Sequence, residues 1–262
     1  MEAFSLENIP HIIITSAPRS GSTSLTKLLG QQKDLFITNE LGTYDDWDNK
    51  NKWANYINSK HWMNFVANES IFESHGLDLY SFRETVIKNK LSAQDIFRWL
   101  TTHVDVKLFG DKCPITYLRN MQRLLKKFPN SKFIIVVRDG RDVIASQIRG
   151  FHKWPPGNPN HAAHWMKATV QEAVPLWRDM ALLTKQAVEF VPKDRLFVFR
   201  YEDAVMDSSS FCEKISYFLG VDIEDKNAYF KPVNLNMWKE THSNMESILD
   251  DDFKAMLSYF NY

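Results

Sequence analysis

Only two cysteines, Cys113 and Cys212, stand in a chain of 262 residues, and they lie far apart in it. They give no disulfide framework and no zinc-ligand spacing. Their scarcity suits a reducing compartment, so a cytoplasmic location is the expectation. No apolar run approaches the ~18 residues that cross a bilayer, so no membrane span is expected. The opening stretch MEAFSLENIPH has neither a basic start nor an apolar core and does not read as a signal peptide. Net charge is missing as well, because 32 Lys and Arg balance 32 Asp and Glu. No global field therefore draws the chain to nucleic acid or an anionic membrane, and any bound anion must be held by local placement of charge. The run G-x-x-x-x-G-K-[ST] is absent, which argues against the triphosphate loop of ATPases. Repeats, low-complexity tracts and linkers are also lacking, and one domain over residues 1–262 is expected. A chain of this length buries about 70–75% of its unfolded surface. The single sequon, Asn68-Glu69-Ser70, reads as a coincidence rather than a glycan site.

What is present centres on residues 11–30, HIIITSAPRSGSTSLTKLLG. Ile12-Ile13-Ile14-Thr15 is an apolar, β-branched run of the kind buried on both faces of a sheet. After the break at Ser16-Ala17-Pro18, a helical pattern begins, with Leu25, Leu28 and Leu29 on one face. First-turn N–H groups have no intrahelical partner, and the helix dipole favours an anion there. Ser20, Ser22, Thr23 and Ser24 add short donors around Gly21, and Arg19 adds a planar cationic fork. The alternative is an ordinary strand-to-helix turn, with Ser22 as N-cap and Arg19 solvated.

Further elements follow in alternation. Strands are expected at 35–38, 106–109, 132–137 and 196–199. Helices are expected at 78–89, 93–103, 115–127, 142–150, 161–191 (kinked or broken at Pro175), 207–219 (stopped by Gly220) and 249–260. Residues 43–75 are polar and aromatic and read as irregular or partly helical. The pattern implies an α/β fold with a central parallel sheet flanked by helices, joined by right-handed crossovers.

In such a sheet ligands bind outside the carboxyl ends of the strands, at a switch in strand order. The chemistry-bearing residues fall at those ends: Arg19 to Thr23, Glu40, Asp111-Lys112, Arg138 and Tyr201. Ser146 lies roughly two helical turns beyond Arg138, so both could reach one phosphate, the arginine by bidentate charge-assisted bonds. The competing reading makes Arg138-Asp139-Gly140-Arg141-Asp142 a self-paired, solvated turn. Lys112 could equally pair with Asp111, and Tyr201 could be a core tyrosine with its hydroxyl satisfied.

Taken together, these segments resemble the sulfotransferases that use 3′-phosphoadenosine 5′-phosphosulfate (PAPS), in the branch of the bacterial, protein-tyrosine and heparan enzymes. Residues 17–25, APRSGSTSL, resemble that family's 5′-phosphosulfate loop, and residues 133–146, FIIVVRDGRDVIAS, its 3′-phosphate motif. Gly110-Asp111-Lys112-Cys113-Pro114 is similar to its G-[ED]-K-[ST]-P segment, and Arg200-Tyr201-Glu202-Asp203 to its RYED. The resemblance runs from about residue 11 to residue 203. It implies a P-loop-like sulfotransferase fold and transfer of a sulfuryl group from PAPS to an acceptor hydroxyl or amine, with no metal. Arg19 with Ser20, Gly21, Ser22, Thr23 and Ser24 would hold the 5′-phosphosulfate; Arg138 and Ser146 would hold the 3′-phosphate. Many members carry Lys at the position of Arg19, and an arginine can clamp the leaving phosphate but not give up a proton. Glu40 would be the base, as a Glu at a similar offset is in heparan and tyrosine sulfotransferases; the alternative is simple pairing with a nearby cation. Lys112 could bridge the sulfuryl oxygens, while Cys113 replaces the usual hydroxyl. Tyr201 could contact adenine. Lys239, after a faintly similar Lys231-Pro232-Val233-Asn234 loop, could complete the nucleotide site or be solvated. His103, His161 and His164 read as surface or packing histidines. The acceptor would be a small molecule, sugar or peptide; the aromatics of 43–65 and the Trp154 loop could build a pocket for it or simply be core. Rival expectations are a P-loop-like kinase or hydrolase, which needs a Lys-Ser/Thr pair and an acidic strand end, and a non-catalytic nucleotide-binding module.

Overall fold

The computed structural model describes residues 6–41, 44, 67–153, 166–225, 229–232 and 235–262. Its sheet grows from β1 (His11–Ser16), every residue of which is buried. β2 (Leu35–Asn39), β3 (Leu108–Lys112), β4 (Lys132–Val137) and β5 (Leu196–Arg200) complete it in the order β2-β3-β1-β4-β5. All pairings are parallel, with Ile14 beside Lys112 on one side and Ile134 on the other. The chain leaves β1 toward β2 and leaves β4 toward β5, in opposite directions, so the switch in strand order lies between β1 and β4.

The two-residue period of the strands divides the core. Ile13, Phe36, Phe109, Phe133 and Ile135 point to one face. There α3 (Leu79–Asn89), α4 (Ala93–His103), α6 (Met121–Lys127), α7 (Gly140–Lys153), α8 (Val170–Phe190) and α12 (Asp251–Tyr259) cover them, following α2 (Glu69–Ser74) and α5 (Thr116–Arg119) in the same layer. Ile12, Ile14, Ile37, Ile134 and Val136 point to the other face. They meet Leu25, Leu28 and Leu29 of α1 (Ser22–Gly30) and Phe211, Ile215 and Leu219 of α10 (Ser208–Leu219). Each such buried Ile, Leu or Phe is worth about 1.5–3 kcal/mol. α9 (Tyr201–Met206) and α11 (Met237–Thr241) are short elements near the carboxyl ends of the strands.

Several boundaries differ from the sequence expectation. The third strand is not 106–109 but Leu108–Lys112, because Gly110, Asp111 and Lys112 enter the sheet against propensity. Gly110 lies between Ile12 and Ile37, where a Cβ would overlap the Ile12 carbonyl. The helix expected at 115–127 is two, parted at Asn120. The one expected at 142–150 starts at Gly140 and runs to Lys153. That expected at 161–191 begins at Val170, where Thr169 and Glu172 form a capping box, and it continues through Pro175 without a break. The helix placed at 207–219 has α9 directly before it, and it ends at Gly220, whose φ of 76° is left-handed. The sequon asparagine is wholly buried and bonded to Asn39, so it offers no glycan acceptor. Most of 43–65, the Trp154-to-Pro159 loop, His161, His164, Val233 and Asn234 lie outside the described residues. Among the described residues, no helix is long and apolar enough to cross a membrane.

Candidate functional site

The turn between β1 and α1 depends on two left-handed residues, Arg19 with φ 69° and Gly21 with φ 96°. Gly21 has no substitute there, since a Cβ would run into the ring of Tyr201. Gly21 is also the N-cap, without a side-chain cap, which leaves the start of α1 open to an anion. The hydroxyls divide. Ser22 is buried and accepts from Ser16 Oγ at 2.9 Å, so it braces the turn from within rather than serving as cap. Ser20 Oγ is buried beneath the loop, in a small space lined by Arg138 and Trp177. Thr23 is exposed and Ser24 half-buried, and these two face outward more than their neighbours.

At the end of β4, Arg138 is only 5% exposed. Its Nη1 donates to the backbone carbonyl of Arg19 at 2.9 Å, and its Nη2 lies 3.8 Å from Asp142 Oδ2. Asp142, whose carboxyl burial pushes upward in pKa against the pull of Arg138, also takes the N–H groups of Asn236 and Trp238. On α7, Ser146 accepts from Arg19 Nε at 3.0 Å. Arg19, Arg138 and Ser146, which belong to two separate sequence segments, thus meet at the β1–β4 switch. The self-paired reading of this charge cluster holds for its other arginine: Arg141 is clamped by Asp139 at 2.8 Å and by Glu246 at 2.8 Å.

Glu40 and Lys112 form the second half. Lys112, at the end of β3, has no exposed side chain; its Nζ donates to Glu40 Oε1 at 2.5 Å and to Thr23 Oγ1 at 3.2 Å. It does not pair with Asp111. Neighbouring strand residues point to opposite faces, and Asp111 instead accepts from Thr38 Oγ1 and Tyr117 Oη, both at 2.6 Å. Glu40, bonded to Lys112, keeps 31% of its side chain exposed. Arg19 is exposed at the rim but crowded. Desolvation, then the Arg138 and Arg149 guanidiniums, lower its pKa from the ordinary arginine value, and Glu40 opposes them. All four charges therefore share one neighbourhood.

The model of the Sulfotransferase family matches residues 10–225, which include Arg19, Glu40, Lys112, Arg138 and Ser146. The chain belongs to the Sulfotransferase family. Solved structures agree in fold. The sulfotransferase domain of the Synechococcus PCC 7002 olefin synthase has a TM-score of 0.66 at 21% identity, over 97% of this chain and 96% of that one. The sulfotransferase domain from the curacin biosynthetic pathway gives 0.59 at 21% identity, over 97% and 99%. A sulfotransferase from Alicyclobacillus acidocaldarius gives 0.55 at 17% identity, over 96% of each chain. No curated protein sequence matches significantly.

Among the other candidate residues of this sulfotransferase-family chain, Tyr201 borders that meeting point. It is buried, with its ring against Gly21 and 5.2 Å from the Arg138 guanidinium. Its hydroxyl accepts from Lys231 N at 3.1 Å, so it walls the loop in the manner of a core tyrosine. Lys239 is exposed on α11, 5.7 Å from the Trp238 ring; among the described residues no hydrogen bond or ion pair links it to Arg19, Arg138 or Ser146. Cys113 is a free, neutral thiol whose pKa burial and Asp111 raise. His103 stacks on Trp99 at 3.9 Å on the surface of α4. Tyr44, from the aromatic stretch, is a core residue bonded to His11. Sequence reasoning missed Arg149. It is exposed on α7 one turn after Ser146, near enough to Arg19 to act on its charge, and that i, i+3 spacing was the available signal.

Proposed function

We propose that the chain, acting as one domain over residues 1–262, transfers a sulfuryl group from PAPS to a hydroxyl or amine of an acceptor. The observation that carries this reading is the meeting of Arg19, Arg138 and Ser146 at the switch between β1 and β4, with Glu40 across the same cleft. Arg138 and Ser146 would take the 3′-phosphate, and Arg19 with the amides of Gly21 to Ser24 the 5′-phosphosulfate. The acceptor oxygen or nitrogen forms its bond to sulfur as the sulfur–oxygen bond to the 5′-phosphate breaks. Glu40 takes the acceptor's proton, and the bisphosphate leaves with both electrons of the broken bond. Arg19 stays cationic throughout and stabilises the charge that grows on the leaving phosphate. Lys112 fixes Glu40 and sits where it can neutralise the sulfuryl oxygens. Most of the rate would come from positioning and charge, with no metal or redox cofactor in the sequence of steps.

The motif pair described in the sequence supports the donor; the family supports the transferase class. The test is transfer of label from [35S]PAPS to a panel of alcohols, phenols, sugars and amines. Labelled ester or amide with release of 3′,5′-bisphosphoadenosine is expected, unaffected by EDTA. Phosphate transfer from ATP with a strict magnesium requirement would overturn the reading.

A further inference from the structure

Glu40 holds a backbone conformation, φ 55°, that side-chain-bearing residues adopt reluctantly. A glycine would be at ease there, so a glutamate is kept only if its surroundings over-determine the geometry. The surroundings do so on each flank. The N–H of Asn39 donates to Asn68 Oδ1 at 2.6 Å, and Asn68 Nδ2 donates back to the Asn39 carbonyl at 3.1 Å. The N–H of Glu40 itself donates to the Lys112 carbonyl at 2.7 Å. The N–H of Leu41 donates to Asp111 Oδ1 at 3.2 Å, and that carboxylate is in turn fixed by Thr38 and Tyr117.

Asn68 has the more telling position. It is the residue before α2, where an asparagine side chain ordinarily caps the helix by accepting from the first turn. Here it makes no cap bond, although it is the N-cap and is completely buried. Its carboxamide is turned away from its own helix and spent on the residue before Glu40.

We infer that Asn68, with Asp111 on the other flank, is a positioning residue that locks Glu40 into the left-handed turn from which its carboxylate meets Lys112 at the cleft. Neither residue touches the donor or the acceptor; both act through Glu40. This rests on Glu40 as the base, and the experiment separates the two ideas. The full chain is assayed for [35S]sulfuryl transfer from PAPS to the best acceptor of the panel above, as wild type, Asn68→Ala, Glu40→Gln and the double variant. Asn68→Ala should lower kcat by about 30- to 100-fold, with KM and the Kd for 3′,5′-bisphosphoadenosine within about twofold of wild type. A group acting only through Glu40 has nothing left to lose once Glu40 is disabled, so the double variant should be as slow as Glu40→Gln and no slower. Losses that multiply in the double variant, or normal turnover in Asn68→Ala beside an inactive Glu40→Gln, overturn the positioning role alone. Full turnover in Glu40→Gln overturns both ideas. Should Asn68→Ala not fold, Asn68→Ser read against the same background decides in its place.

Discussion

At the scale of single residues, the site is a gathering of like charges. Arg19 is desolvated and repelled by Arg138 and Arg149, and among the described residues Glu40 opposes this. Such a cluster is at ease when an anion with more than one charge lies among them. On the proposed reading, exposed Arg149 would add attraction for such an anion at the mouth of the cleft. Arg149→Ala should weaken binding of 3′,5′-bisphosphoadenosine by about fivefold, and the loss should shrink as salt is raised. Calorimetry at two ionic strengths checks this; a loss independent of salt would mean that the residue acts by packing. Sequence reasoning favoured Arg138 over Arg141 because Arg138 directly follows its strand, although both flank the same Asp139. The fold agrees, turning Arg141 toward Asp139 and Glu246 and leaving Arg138 beneath the β1 turn. Arg149 carried only a weak mark, its i, i+3 spacing from Ser146, which is all that separates it from other surface residues of the helix.

At the scale of elements, β1, β4 and α1 were legible, since a β-branched run buried on both faces admits few other readings. β3 was not fully legible. Its Gly110-Asp111-Lys112 end resembles a loop by propensity, and only the tertiary partners of Asp111 and Lys112 hold it in the sheet. The left-handed turn at Glu40 was likewise invisible, because its support comes from Asn68 and Asp111, distant in sequence. The start of α8 shows local chemistry outweighing apolar periodicity, for Thr169 with Glu172 sets the boundary. Thr169→Ala should therefore cost about 1 kcal/mol. Thermal unfolding should show a midpoint about 2–4 °C lower, and an unchanged midpoint would show that the box contributes nothing.

At the scale of the whole molecule, the balanced charge of 32 basic and 32 acidic residues leaves stability to buried groups, and one of these gives a pH signature. His11 opens β1 with its ring buried, Nε2 donating to the Leu6 carbonyl at 2.8 Å and Nδ1 accepting from Tyr44 Oη at 3.0 Å. Burial pushes its pKa from the ordinary 6.5 down to about 4, against the opposing pull of Leu6 and Glu7. Between those values the unfolded chain binds the proton that the folded chain refuses, so stability should fall with pH through that window and be level above it. The histidine's share is about 3 kcal/mol at the acid end. Denaturant titrations of wild type and His11→Gln check it. The variant should be less stable near neutrality and lose less between pH 6.5 and 4; parallel curves would assign the acid loss to carboxylates.

The central claim is that two strand ends grip the two phosphate-bearing ends of one adenosine. Calorimetric binding of 3′,5′-bisphosphoadenosine and of AMP to wild type and Arg138→Ala tests it most directly. The account predicts that the substitution weakens the bisphosphate more than about tenfold, the worth of a charge-assisted phosphate contact, while AMP changes by less than about threefold. Equal losses for the two ligands, or a wild-type chain that binds AMP as tightly as the bisphosphate, would contradict it.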